Sequence, residues 1–223
     1  MSNLSLWDNE SVVCKRRETV NDIRPQLTPE LEAVFAELAA KDLLNQKPHH
    51  FGTLLADPPW RFTNRTGKMA PEHKRLRRYP TMSLSEIMEL PVAHIAQPKS
   101  HLYLWCPNAL LKEGLEVMQR WGFVYKTHIV WEKIRKDGGP DGRGVGFYFR
   151  NVTELCLFGV RGSLRTAQPG RRQVNFMATR KREHSRKPDE LYPIIEACSP
   201  GPYIELFARQ EREGWTSWGN EVL

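Results

Sequence analysis

Apolar residues change their spacing several times along the chain, and each change marks a predicted element. After a polar stretch of mixed charge at 1–27, Leu31, Val34, Phe35 and Leu38 recur at helical intervals. Thr28 and Pro29 stand ahead of them as cap and first-turn proline, which predicts a helix of about three turns covering one face of a sheet. Residues 1–27 are then a flexible arm. A continuous apolar run from Phe51 to Ala56 reads as a buried strand. Further strands are predicted at 101–105, 123–132, 153–160 and 202–208. Ser83 and Glu86 form a capping box for a short helix ending near Leu90. Asn108 is placed to cap a helix whose apolar face is Leu111, Leu115, Met118 and Trp121, and 188–197 forms the last helix. Strands alternating with helices predict an α/β fold, a mainly parallel sheet covered on both faces, with 28–223 as a single domain.

Three stretches lack this periodicity. Residues 61–80 are rich in Arg and Lys and poor in apolar residues, and 135–146 are charged and Gly-rich. Residues 161–187 hold Arg161, Arg165, Arg171, Arg172, Arg180, Lys181, Arg182, Arg186 and Lys187 against the acid Glu183. The first reads as a mobile lid or substrate loop and the last as an exposed loop. No internal repeat occurs.

Composition narrows the partners. A formal net charge of +7 favours a polyanion. Cys14, Cys106, Cys156 and Cys198 are scattered with no C-x-x-C pair, and Cys106 and Cys156 fall in strand-like runs as reduced core thiols, which points to the cytoplasm. The histidines show no metal spacing, so no metal site is expected. No apolar run is long enough to cross a membrane, and no signal pattern opens the chain, so no membrane partner is expected either.

Candidate chemistry lies where the 51–56 strand stops, at Asp57-Pro58-Pro59-Trp60. Two prolines cannot continue a ladder, and they fix a turn at the carboxyl end of a strand, where open α/β sheets bind ligands. A carboxylate and a prolyl carbonyl can accept the two N–H hydrogens of an exocyclic amine, localising its lone pair, while an indole stacks on the ring. On these residues alone, a buried strand closed by a Pro-Pro turn and a core Trp fits as well.

Other stretches match one family in order. They are Ala56 to Trp60, Tyr79-Pro80-Thr81-Met82, Leu104-Trp105, Trp121-Gly122-Phe123 with Trp131-Glu132-Lys133, and Thr153-Glu154 through Gly159. Ser185-Arg186-Lys187-Pro188-Asp189 through Tyr192, Ile204 through Arg209, and Trp218-Gly219-Asn220-Glu221 complete the series. The chain resembles the adenine-specific methyltransferases with a D-P-P-W catalytic turn, the family of the catalytic subunit of the eukaryotic messenger-RNA adenosine methyltransferase. The resemblance leaves the N-terminal arm uncovered.

It implies a Rossmann-like class I methyltransferase fold in permuted order, with the catalytic turn before the cofactor strand, and S-adenosylmethionine as cofactor. Asp57, Pro58, Pro59 and Trp60 would be catalytic. Asp57, Lys187, Leu206, Phe207, Arg209, Asn220 and Glu221 would bind the cofactor, with Lys187 on its carboxylate and Asn220 and Glu221 on its ribose. Ala208-Arg209 stands where many methyltransferases carry glycine, a departure in the cofactor pocket. Trp60, Tyr79 and Glu154 would face the base, and Arg77, Arg78, Arg171, Arg172, Arg180, Lys181 and Arg182 would hold phosphates. Glu211 and Arg212 stay unassigned, and Trp105 and His184 are left to packing. The expected reaction is methylation of the N6 amine of adenine in DNA, favoured because the chain is compact and shows no appended RNA-binding module. RNA is the alternative substrate, a catalytically silent nucleic-acid-binding subunit is a further one, and a homodimer stays open.

Overall fold

The computed structural model describes residues 29–61, 81–141, 148–168, 170–180 and 186–219. The arm at 1–27, Thr28, Tyr79, Arg77, Arg78, Lys181, Arg182, Asn220 and Glu221 lie outside them.

Strand β1 (Phe51–Ala56), apolar at every position but Gly52 and Thr53, is buried along its whole length. Its neighbours are β2 (Ala96–Cys106) and β6 (Tyr203–Leu206), both parallel to it. Beyond β6, β7 (Trp215–Trp218) closes one edge in parallel. Beyond β2 come β4 (Thr153–Arg161) and β3 (Val124–Ile134), each antiparallel to the strand before it, and then β5 (Phe176–Arg180), parallel to β3. In this sheet, ordered β5-β3-β4-β2-β1-β6-β7, β4 alone runs against the rest. The strand ending at Asp57 comes first in the chain, yet it pairs with a strand near the chain's end. This is a Rossmann-like arrangement in the permuted order expected.

Side chains alternate across a sheet, and the two faces have separate cores. Leu54, Ala56, Leu102, Leu104, Cys106, Leu157, Ile204 and Leu206 pack on one face. That face is covered by α2 (Leu84–Glu89), α3 (Val92–Ile95) and α4 (Leu111–Arg120). Leu55, Tyr103, Trp105, Ile129, Trp131, Cys156, Phe158 and Val160 pack on the other, under α5 (Leu191–Cys198). Helix α4 lies close because Gly114 has no side chain: a Cβ there would stand 2.5 Å from Cys106 Sγ. Ser83 and Glu86 form the expected capping box of α2.

Four expectations change. Helix α1 (Pro29–Leu44) packs through Ala39, Ala40 and Leu43, while Val34 and Leu38 are half exposed. It rests mainly on α2 and α3 and meets the sheet at its β7 edge, where Asp42 Oδ2 accepts a hydrogen bond from Trp218 Nε1 at 2.7 Å. Asn108 caps nothing. Its amide donates to Thr153 O and Oγ1 at 3.1 Å, and a 3₁₀ turn over Asn108–Leu110 precedes α4. Buried Val117, Met118 and Trp121 form the inner face of α4, and Leu111 is exposed. Finally, 161–187 is not one exposed loop: β4 runs on to Arg161, and β5 lies within the stretch, its Met177 buried against the sheet.

Candidate active site

Asp57 is the first residue beyond β1, on the α5 side of the sheet, the same side as Leu55. The prolines behind it tie the turn down. Pro58 O accepts from Trp60 N at 2.8 Å, and Pro59 O accepts from Met82 N at 2.9 Å. Arg61 donates from Nε to Thr81 Oγ1 (3.2 Å) and from Nη2 to Thr81 O (3.0 Å), so the two ends of the 62–80 segment meet beside Asp57. Each prolyl carbonyl keeps a second lone pair.

Trp60 is not the open stacking face expected. It is 6% exposed, belongs to the core on the α2–α4 side, and donates from Nε1 to Trp105 O at 3.0 Å. The reason lies in the turn: two residues past Pro58 the chain has rolled over the sheet's end, and the indole closes the gap above Leu54 and Ala56.

An alternating chain of charges runs along the carboxyl edge from Asp57. Lys187 Nζ donates to both Asp57 oxygens at 2.9 Å and lies 3.0 Å from Glu154 Oε1. Glu154 Oε2 is 2.7 Å from Lys133 Nζ. Trp105 lies under Lys187, its ring centroid 5.4 Å from Nζ, and Trp131 lies under Lys133 at 4.9 Å, the two indoles meeting edge to face. The side chains of Asp57, Glu154 and Lys187 are all at least 80% buried, at 20%, 15% and 17% exposure. Burial works against the Glu154 carboxylate, yet Lys187 and Lys133 outweigh it and bring it down to about 2. Burial likewise opposes the Lys187 ammonium, and Asp57 and Glu154 outweigh it, raising Lys187 above the ordinary lysine range. Glu154 and Lys187 are therefore both charged at neutral pH.

A second cluster lies at the end of β6. Tyr192 OH donates to Glu205 Oε2 at 2.8 Å, and Arg212 lies 3.6 Å over the Tyr192 ring while its Nη2 donates to Asp189 Oδ1 at 2.7 Å. Burial, with Asp57 nearby, raises the Glu205 carboxyl. Phe207 follows with a left-handed φ of 63°, a conformation that bulky side chains rarely adopt. Gly219 is required beside it, since a Cβ would stand 2.5 Å from Ala208 O.

Asp57, Lys187 and Glu154 thus come together, with Phe207 at the neighbouring strand end. Leu206 does not line this crevice. It points to the opposite core with no exposed surface, because it sits one position from Glu205 in the strand alternation. Arg209 is exposed just beyond β6. Arg180 ends β5 at the carboxyl edge and donates to Lys136 O at 3.4 Å. Arg171 and Arg172 lie elsewhere: their turn packs beside the C-terminal end of α5, where Ala167 N donates to Cys198 O, the opposite end from Lys187. Lys133, Trp105, Trp131, Glu205 and Arg212 join the site without having been assigned a role. For Lys133 a signal existed, since it shares a strand face with Trp131 inside a matched block.

Residues 51–221 match the family model MT-A70. The chain is 33% identical over 77% of its length to a putative N(6)-adenosine-methyltransferase MT-A70-like protein of Medicago truncatula, covering 26% of that protein. It is 30% identical over 77% of its length to the human N(6)-adenosine-methyltransferase catalytic subunit METTL3, covering 28% of it. It is 27% identical over 86% of its length to the type II methyltransferase M.MunI of Mycoplasma sp, covering 83% of that chain. The chain spans about a quarter of the length of the plant relatives it matches.

Proposed function

Because the chain belongs to the MT-A70 family, we propose that it transfers a methyl group from S-adenosylmethionine to the N6 amine of adenine in a polynucleotide. DNA is the favoured substrate. The observation that carries the reaction is the Asp57–Lys187 pair at the carboxyl edge of β1. Its donor set suits the amino-acid end of the cofactor: the Lys187 ammonium matches a carboxylate, and Asp57 matches an ammonium. Phe207 and Arg209 at the end of β6, with Asn220 and Glu221, would receive the nucleoside end.

When bound, the cofactor supplies a methyl already activated on sulfonium, so no covalent enzyme intermediate is needed. Asp57 accepts an N–H of the target amine and localises its lone pair. A carboxylate has about four acceptor positions, so it can do this while Lys187 remains near. The proton leaves the amine after transfer. Pro58 O, through its second lone pair, suits the other N–H. Catalysis is then positioning and fixed electrostatics in a partly dry site. Trp105 and Trp131 exclude water from beneath the lysines. Arg180 on the same edge would hold phosphate, as would Arg77, Arg78, Lys181 and Arg182.

DNA is favoured by the likeness to the type II methyltransferase M.MunI, 27% identical over 86% of this chain. The same reaction on RNA is the second reading, favoured by the N(6)-adenosine-methyltransferases among the relatives. Methyl-transfer assays on DNA and RNA oligonucleotides decide between them. Wild-type protein methylates adenine, and Asp57→Ala loses about a hundredfold or more of the rate. Wild-type turnover by Asp57→Ala would overturn the role of Asp57. Transfer to RNA alone would establish the second reading, and transfer to neither would leave a silent nucleic-acid-binding subunit.

A further inference from the structure

Lys133 makes a shielded ion pair that the proposed reaction does not use. It projects from β3 on the same face as Trp131, the residue directly opposite Glu154 of β4, and reaches Glu154 diagonally across the two strands. Its contact with Glu154 is 2.7 Å, with side-chain exposures of 25% and 15%. Each Glu154 oxygen takes one lysine, Oε2 from Lys133 and Oε1 from Lys187. We infer that Lys133 is a positioning residue for methyl transfer, holding Lys187 in place through Glu154. This rests on the reading of Lys187 as the contact for the cofactor's carboxylate.

An ammonium has three N–H donors, and Lys187 spends them on the two Asp57 oxygens and on Glu154. A ligand carboxylate arriving at Lys187 competes for donors now held by Asp57. Glu154 is then the contact that keeps Nζ at the carboxyl edge. Glu154 can serve only while ionised, and it is buried. The groups facing it are Lys187 from the turn before α5 and Lys133 from β3, with Asp57 on the far side of Lys187 and the Cys156 thiol on the same face of β4. Among these, Lys133 is the cation that remains committed to Glu154 when Lys187 turns toward a ligand. Its Nζ lies over the Trp131 ring, 4.9 Å from the centroid, which fixes its direction.

Calorimetry with S-adenosylmethionine alone, without nucleic acid, separates this role from phosphate binding by Lys133. Lys133→Met should weaken binding about tenfold, and Lys133→Arg should restore it to within about twofold of wild type. In a Glu154→Gln background, Lys133→Met should change nothing further, since its effect passes through the carboxylate. In ligand-free protein, the ¹³C-carboxyl titration of Glu154 should move upward in Lys133→Met by about one to three pH units. Unchanged affinity in Lys133→Met, or a full loss persisting in the Glu154→Gln background, would overturn the inference. If wild type fails to bind S-adenosylmethionine, the functional reading falls and this inference with it, whatever the titration shows. Should Lys133→Met not fold, Lys133→Gln makes the same comparison.

Discussion

Glu154→Gln tests whether the alternating charges at the carboxyl edge hold the fold as well as the site. Glutamine keeps the shape of the side chain and removes its charge. In the folded protein, two lysines outweigh burial and bring Glu154 from 4.5 to about 2. At about 1.4 kcal/mol per pH unit, that fall corresponds to about 3–4 kcal/mol of stability at neutral pH before the partial exposure of the side chain is allowed for. Breaking a buried ion pair from one side costs about 3–5 kcal/mol, and the residual exposure of these side chains argues for the lower end. The folded value lies below the unfolded one, so this stabilisation is complete above about pH 4.5 and is lost as pH falls toward about 2. Urea denaturation at pH 7 should therefore show Glu154→Gln about 3 kcal/mol less stable, with an unchanged m-value. At pH 3 the gap should shrink to about half, because the unfolded chain then binds a proton on Glu154 that the folded wild type still largely excludes. In thermal scans the variant should melt about 6–12 °C lower for a chain of this size. A gap below about 1 kcal/mol at pH 7, or one of equal size at pH 3, would refute the reasoning.

Trp60→Ala should cost about 3–5 kcal/mol of stability in chemical denaturation, since it opens a core cavity and frees the Trp105 carbonyl; a variant as stable as wild type would return Trp60 to the role of an open stacking face. Under the proposed reading, Lys187→Ala should weaken S-adenosylmethionine binding by at least about thirtyfold in calorimetry, because it removes a buried charged partner. Arg180→Ala should reduce the log–log salt slope of oligonucleotide binding by about one. Arg171→Ala with Arg172→Ala should leave that slope unchanged, because these residues sit at the other end of α5.

The architecture was largely legible because it rests on short-range signals. An apolar hexapeptide stopped by two prolines could only be a buried strand with a fixed end, and the Ser83–Glu86 box is read within four residues. What failed depends on long-range packing. The apolar stripe of α1 pointed to Val34 and Leu38, yet the helix packs on α2 and α3 through buried Leu43 and the half-buried small residues Ala39 and Ala40. β5 is five residues long and surrounded by arginines, so its alternation is swamped by charge until β3 provides a pairing edge. Trp60 could have been a stacking ring or a core residue, and only the way the turn rolls over the sheet selects the core.

The chemistry at the edge follows from strand alternation more than from any single motif. Asp57, Glu154, Lys133 and Glu205 share the parity of Leu55, Cys156, Trp131 and Tyr203 on their own strands, so all four rise on the face that α5 covers. Each stands within a residue or two of the carboxyl edge. Lys187 enters from the turn before α5 on that same face, which is why residues 130 positions apart in sequence meet at 2.9 Å. Between the indoles and α5, unpaired charge would be costly, and alternation of sign makes the row close to neutral. Such a row accepts a zwitterion more readily than a simple anion or cation. A carboxylate beside Lys187 and an ammonium beside Asp57 extend the alternation without adding net charge. A lone anion would neutralise Lys187 and leave Asp57 uncompensated. This electrostatic preference comes from the fold itself, and it matches the amino-acid end of the proposed cofactor.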